Sequence, residues 1–148
     1  MKFFLLLLAT FLLPKNLKSQ EITKQDLARI DSAKALINNI GEPFSTDFAN
    51  YCYNVTTWGG KYSSANADGG KKGTIFLTEI DVKYGDIHNI AAALVHETLH
   101  LKYFYLNAHP DKEEKNCYEY ELQFLLKVKD IDPWLLDNAE RMIIFYSR

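Results

Sequence analysis

Four stretches of the chain carry apolar residues at helical spacing, and two carry strand-forming residues in short alternating runs. From Gln20 to Ile40, Leu27, Ile30, Ala33, Ile37 and Ile40 recur every three or four positions. That spacing predicts an amphipathic helix. Thr23-x-x-Asp26 marks its start, and Gly41 with Pro43 marks its end. Phe44 to Asn50 reads as a connection. Tyr51 to Thr57 alternates and is rich in β-formers, so it predicts a strand. Trp58 to Gly73 holds five of the seven glycines and predicts a long loop, either a flap over a cleft or a surface excursion. Thr74 to Glu79 predicts a second strand, internal or at a sheet edge able to pair with an extended peptide. Asp81 to Asp86 predicts a turn, with Asp86 as N-cap of a helix over residues 87–106. That helix is apolar almost all round at Ile87, Ile90, Ala91, Leu94 and Val95, which predicts burial. Asn107 to Pro110 breaks it. A third helix is expected over residues 111–129. Asp132-Pro133 opens a fourth that runs to about Tyr146, burying Trp134, Leu135, Ala139, Met142, Ile143 and Tyr146.

The first nineteen residues are treated apart. Lys2 precedes an apolar run, Phe3 to Leu13, that is too short to span a bilayer comfortably, and Pro14 breaks it. This pattern predicts a secretory signal peptide over residues 1–19, cleaved near Ser19-Gln20; a retained membrane anchor is the alternative. A single domain is expected over residues 20–148. Secretion or periplasmic residence follows, without stable membrane insertion after cleavage. The formal charge of the 148 residues is −2; removing Lys2, Lys15 and Lys18 brings it to −5. No basic stripe remains, so no nucleic-acid partner is expected. In an exported chain Cys52 and Cys117 either form a disulfide or remain separate thiols. Asn54-Val55-Thr56 is a glycosylation sequon.

The buried helix carries the chemistry. It contains His96-Glu97-Thr98-Leu99-His100. Residues four apart lie on one helix face, so His96 and His100 point the same way and can close on one Zn²⁺. Two imidazoles inside an apolar helix also need partners, and a metal satisfies both. Glu97 lies one residue round, placed to reach a water on the metal.

A third ligand must come from elsewhere. Leu106 occupies the position ten residues after His96, which excludes a third histidine there. His109 lies in the break after the helix. His88 is about 12 Å up the helix from His96. Cys117 is a less usual ligand beside a catalytic water. Glu113, Glu114, Glu119 and Glu121 remain, on a helix that must fold back antiparallel. Glu114 is favoured because Cys117, a small residue three positions on, permits close packing. Glu113 and Glu121 stay open, and Asp111-x-x-Glu114 also fits a capping box.

His96-Glu97-Thr98-Leu99-His100 with Glu114-x-x-Cys117-Tyr118 resembles the zincin metallopeptidases, in particular their small, glutamate-ligand, gluzincin-like group. The resemblance covers about residues 94–126. It implies an α+β, zincin-like fold: a small antiparallel or mixed sheet, a buried motif helix and C-terminal helices. It implies Zn²⁺ held by His96, His100 and Glu114, and hydrolysis of a peptide or protein substrate with Glu97 as general base toward zinc-bound water. It also implies an oxyanion-steadying side chain, for which Tyr103, Tyr118 and Tyr120 are available. A zinc-holding module without peptidase activity, or a structural domain whose histidines are satisfied by hydrogen bonds, are the rival expectations.

Overall fold

A computed structural model describes residues 22–67, 70 and 72–148. The leader expected over residues 1–19 lies outside them. The elements run α1 (Lys24–Ile40), α2 (Phe44–Tyr51), β1 (Cys52–Trp58), β2 (Ser64–Asn66), β3 (Gly73–Thr78), α3 (Glu79–Tyr84), α4 (Ile87–Tyr105), α5 (Glu113–Leu125) and α6 (Pro133–Tyr146). The class is α+β, as expected: among the described residues, six helices and a small mixed sheet.

α1 begins at a full capping box. The Thr23 side chain accepts from the Asp26 backbone, and the Asp26 carboxylate accepts from the Thr23 N–H. Its buried apolar residues are Ile30, Ala33 and Ile37, whereas Leu27 of the expected stripe is half exposed. Gly41 ends the helix with φ +83, a value that disfavours a side chain. The segment read as a connection, 44–50, is instead helix α2. Phe44 is buried against Phe124 and Tyr120, with ring centroids 5.3 and 4.8 Å away. The buried Asp47 carboxylate is clamped by Lys102 Nζ at 2.8 and 2.9 Å and by the Tyr120 hydroxyl at 2.7 Å. Tertiary anchors of this kind decide whether so short a helix forms.

The sheet order is β1-β3-β2, with β1 parallel and β2 antiparallel to β3. β3 is therefore the central strand. The outer strand on the side of α4 is β2, which lies inside the stretch expected to be a loop. Ile75 and Leu77 of β3 are fully buried. Gly73 opens β3 where a Cβ would meet Leu101 Cδ2 at 2.4 Å and the Asn66 carbonyl at 2.6 Å. The glycine lets β3 and β2 lie flush on α4. The expected turn at 81–86 is mostly helix α3, capped by Thr78, whose hydroxyl accepts from the Asp81 N–H at 3.0 Å.

α4 is the axis. The Asp86 carboxylate caps it, accepting from the Asn89 N–H at 2.7 Å. It packs against α1, α2, α3, β2, β3 and α5. Ile90, Ala91, Ala92, Leu94 and Val95 are buried, while Ile87 at its start is partly exposed. α5 and α6 close the other side. α5 is shorter than expected and ends before Leu126. On α6, Leu135 and Ala139 are buried but Trp134 is half exposed. One hydrophobic cluster joins α1, α2, α3, α4, α5, α6 and β3. No described helix is long and apolar enough to cross a membrane. Cys52 and Cys117 are both free thiols.

Candidate metal centre in the cleft beside α4

α5 folds back antiparallel to α4, so its first turn faces His100 and its later turns face His96. Three glutamates of α5 then meet the two imidazoles in different ways. Glu121 Oε2 lies 3.1 Å from His96 Nδ1. Glu113 Oε1 lies 2.7 Å from His100 Nδ1. Glu114 faces the opposite edge of both rings: its Oε2 is 3.5 Å from His96 Nε2, and its Oε1 is 3.4 Å from His100 Nε2. Glu119 points away and pairs with Lys115.

The two kinds of contact differ in meaning. A carboxylate on each Nδ1 assigns the ring proton to that nitrogen. Each Nε2 then presents a lone pair toward the Glu114 carboxylate. A cation between them, either a proton on the ring or a metal ion, relieves that opposition. Ligand atoms about 2.0–2.1 Å from a tetrahedral ion stand roughly 3.3–3.4 Å apart. The observed 3.4 and 3.5 Å, to the two different Glu114 oxygens, are near that separation and are long for a charge-assisted hydrogen bond. Two imidazoles and a carboxylate are by chemistry a donor set that suits a divalent metal.

Without a metal, the charge answer is protonation. Burial alone would lower the His96 pKa, but the carboxylates of Glu114 and Glu121 outweigh it and push it up to about 9. His100 is raised in the same way, against its own desolvation, by Glu114 and Glu113. The two histidines in turn hold the Glu114 carboxyl far below the usual carboxylate range. Burial raises the Glu97 pKa despite the neighbouring imidazoles. Glu97 is buried and lines the cleft, and its carboxyl accepts no hydrogen bond from any described residue.

A second donor lies close. One ligand atom each from His96, His100 and Cys117 fall within 4.8 Å of one another, so this group can hold a metal ion. Cys117 is fully buried, and burial together with the surrounding carboxylates pushes its thiol pKa up. Glu114 already carries its charge, with its two oxygens 3.4 and 3.5 Å from the two Nε2 atoms. His109 sits at the rim, 3.6 Å from Glu113 Oε2, outside the ligand set.

The site opens into a cleft of about 1080 Å³. One wall is β2 with the preceding residues Lys61 to Ser63, so the glycine-rich stretch supplies cleft wall. The opposite wall is α5 with the end of α6, including Met142, Phe145 and Tyr146. Among the tyrosines singled out from the sequence, only Tyr118 lines the cleft. Its ring packs edge-on against His96, centroids 4.4 Å apart, and burial raises its pKa. Tyr120 is committed to Asp47, and Tyr103 hydrogen-bonds Asn116. Tyr146 stacks on Tyr118 at 5.9 Å. The sequence pattern marks Tyr146 only as part of the buried face of α6; nothing local identifies it as a site residue.

No family model, no curated protein and no solved structure matches this chain.

Proposed function

We propose that the protein is a zincin-like, zinc-dependent metallopeptidase in which His96, His100 and Glu114 hold Zn²⁺ and Glu97 is the general base. The observation that carries this reading is Glu114, which stands 3.4 and 3.5 Å from the two Nε2 atoms while other carboxylates occupy both Nδ1 atoms. When bound, Zn²⁺ supplies a Lewis acid that polarises a scissile carbonyl and lowers the pKa of water toward about 7.

The chain's own residues do the rest. Glu113 and Glu121 keep both imidazoles turned so that Nε2 faces the metal position. A Glu97 carboxylate oxygen takes a proton from the attacking water as its oxygen bonds to the carbonyl carbon. The same proton passes to the amine nitrogen as the C–N bond breaks. Burial raises the Glu97 pKa, which brings its basicity nearer that task. The Tyr118 hydroxyl is the donor for the developing oxyanion, held by its packing on His96 and Tyr146. The outer edge of β2 beside the cleft offers backbone groups to an extended substrate. A signal sequence over residues 1–19 would place this activity in a secreted or periplasmic compartment.

One observation favours a second reading. Cys117 stands near both histidines. If it joined Glu114 as a ligand, four protein donors would close the site, as in structural zinc centres. The protein would then be a zinc-holding module without peptidase activity.

Metal analysis, cobalt substitution and one substitution separate these readings. Purified protein reconstituted with zinc should carry one ion per chain, and Glu97→Gln should keep it while losing cleavage of a broad peptide library. The Co²⁺-substituted protein should show no thiolate charge-transfer band. Such a band, together with no cleavage by the wild type, would establish the closed module. Absence of any bound metal would remove both readings.

A further inference from the structure

Among the described residues, five carboxylates, Asp81, Glu97, Glu113, Glu114 and Glu121, line the cleft, against one lysine, Lys61. With neutral histidines the formal balance is five negative charges and one positive, or −4. A divalent cation reduces it to −2. The metal therefore does not discharge the cleft, and its low-dielectric walls focus the remaining field.

The apolar part of the wall has a matching character. Tyr62, Phe104 and Phe145 line the cleft with 79%, 52% and 62% of their surface exposed. Exposed aromatic faces beside carboxylates attract guanidinium and ammonium groups, since the ring face and the carboxylate both carry negative potential. Lysine and arginine also have aliphatic stems that lie along such rings. A separate observation points to a ligand with hydrogen-bond donors. The Glu97 side chain is buried, with only 7% of the residue exposed, faces the cleft, and receives a hydrogen bond from no described residue.

We infer that the cleft selects basic peptide segments, with lysine or arginine close to the bond presented to Glu97, and turns away acidic ones. The identity of the ligand as a peptide rests on the peptidase reading. Acidic segments are excluded because each added carboxylate meets like charge on the cleft wall. β2 is one side of the peptide's path, and the end of α6 is the other.

Two peptides of one length test this, identical except that two lysines in one are glutamates in the other. Their binding is measured by fluorescence anisotropy to zinc-loaded Glu97→Gln protein, and their cleavage by zinc-loaded wild type is followed by mass spectrometry. The basic peptide should bind at least about tenfold more tightly at low ionic strength, and added salt should narrow that ratio severalfold. Lys61→Glu should widen the ratio, and Phe145→Ala should weaken the basic peptide severalfold with zinc content unchanged. Equal binding, a preference for the acidic peptide, or binding of neither overturns the inference. Cleavage of both peptides at equal rates overturns it while leaving the peptidase reading standing. Selective binding with no cleavage of either peptide upholds it and removes the peptidase reading.

Discussion

At the scale of single residues, the α5 glutamates divide their labour by position. Glu114 faces both Nε2 atoms, so Glu114→Gln should weaken zinc binding by well over a hundredfold. Glu113 and Glu121 each hold one Nδ1–H. Replacing either by Gln should cost about 10–100-fold in zinc affinity, the usual effect of removing an outer partner of a metal-bound histidine. Competition with a chromophoric chelator reads these differences, and a larger loss at Glu113 or Glu121 than at Glu114 would reassign the ligand. His96 adds a pH dependence. Its pKa in the folded, metal-free protein is raised to about 9, from the ordinary imidazole value of 6.5. A raised pKa means that the imidazolium–carboxylate contact stabilises the metal-free fold fully below about pH 6.5 and is lost as pH climbs through about 9. Zinc requires the neutral ring, so the ion competes with that proton. Apparent zinc affinity should therefore rise across this window with release of protons, as calorimetry in buffers of different ionisation enthalpy would measure.

At the scale of elements, two contacts fix the frame that carries the site. Asp47 joins α2 to Lys102 on α4 and to Tyr120 on α5. Lys102 is two residues beyond His100, so the clamp sets how α4 lies against its neighbours. Breaking a fully buried pair costs about 3–5 kcal/mol; Lys102 is about one-third exposed (31%), so Asp47→Ala should cost less, about 1–3 kcal/mol. Urea denaturation measures it, and a loss below about 0.5 kcal/mol would mean that the clamp is incidental. Gly73 is the other contact. Gly73→Val would drive a side chain into Leu101 and the Asn66 carbonyl. That overpacking should cost about 1–3 kcal/mol and loosen β2 from β3 beside the cleft. Amide exchange in residues 64–66 should speed up accordingly, more than exchange in α1.

At the scale of the whole molecule, the proposed metal centre would couple ion binding to folding. The donors come from two helices joined by a turn, and they converge only in the folded chain. An ion that binds the folded state alone adds RT ln(1 + [Zn]/Kd), about 4 kcal/mol at a free concentration a thousandfold above Kd. For a chain of this size a gain of that order should raise the Tm by roughly 10 °C, and a chelator should reverse it. On the proposed ligand set, Glu97→Gln should retain the shift and Glu114→Gln should lose most of it. A zinc-independent Tm would count against any metal centre here. Two networks meet on α4: the metal donors on its cleft side and the Asp47–Lys102–Tyr120 clamp on the side of α2. Asp47→Ala should therefore lower the stability of the metal-free protein, whereas Glu114→Gln should act chiefly through metal affinity.

Sequence alone determined what depends on nearest neighbours along the chain. The four long helices, the capping box at Thr23, the cap at Asp86 and the shared face of His96 and His100 follow from periodicity and spacing. So does the presence of a strand on either side of the glycine-rich stretch. Elements too short to show a period were not legible: α2, α3 and the three-residue β2 exist because tertiary partners hold them. Strand order was equally hidden, since only the folded sheet puts β3 in the centre and β2 at the cleft. The glutamates proposed from the sequence as third ligand show the division most sharply. Glu114 and Glu121 are seven residues apart and share one face of α5, with Glu113 beside them, so helical spacing could not rank them. Only the antiparallel register of α5 on α4 sets Glu114 across from both Nε2 atoms and gives one Nδ1 each to Glu113 and Glu121. That register is a property of packing between two surfaces, and no single helix carries it.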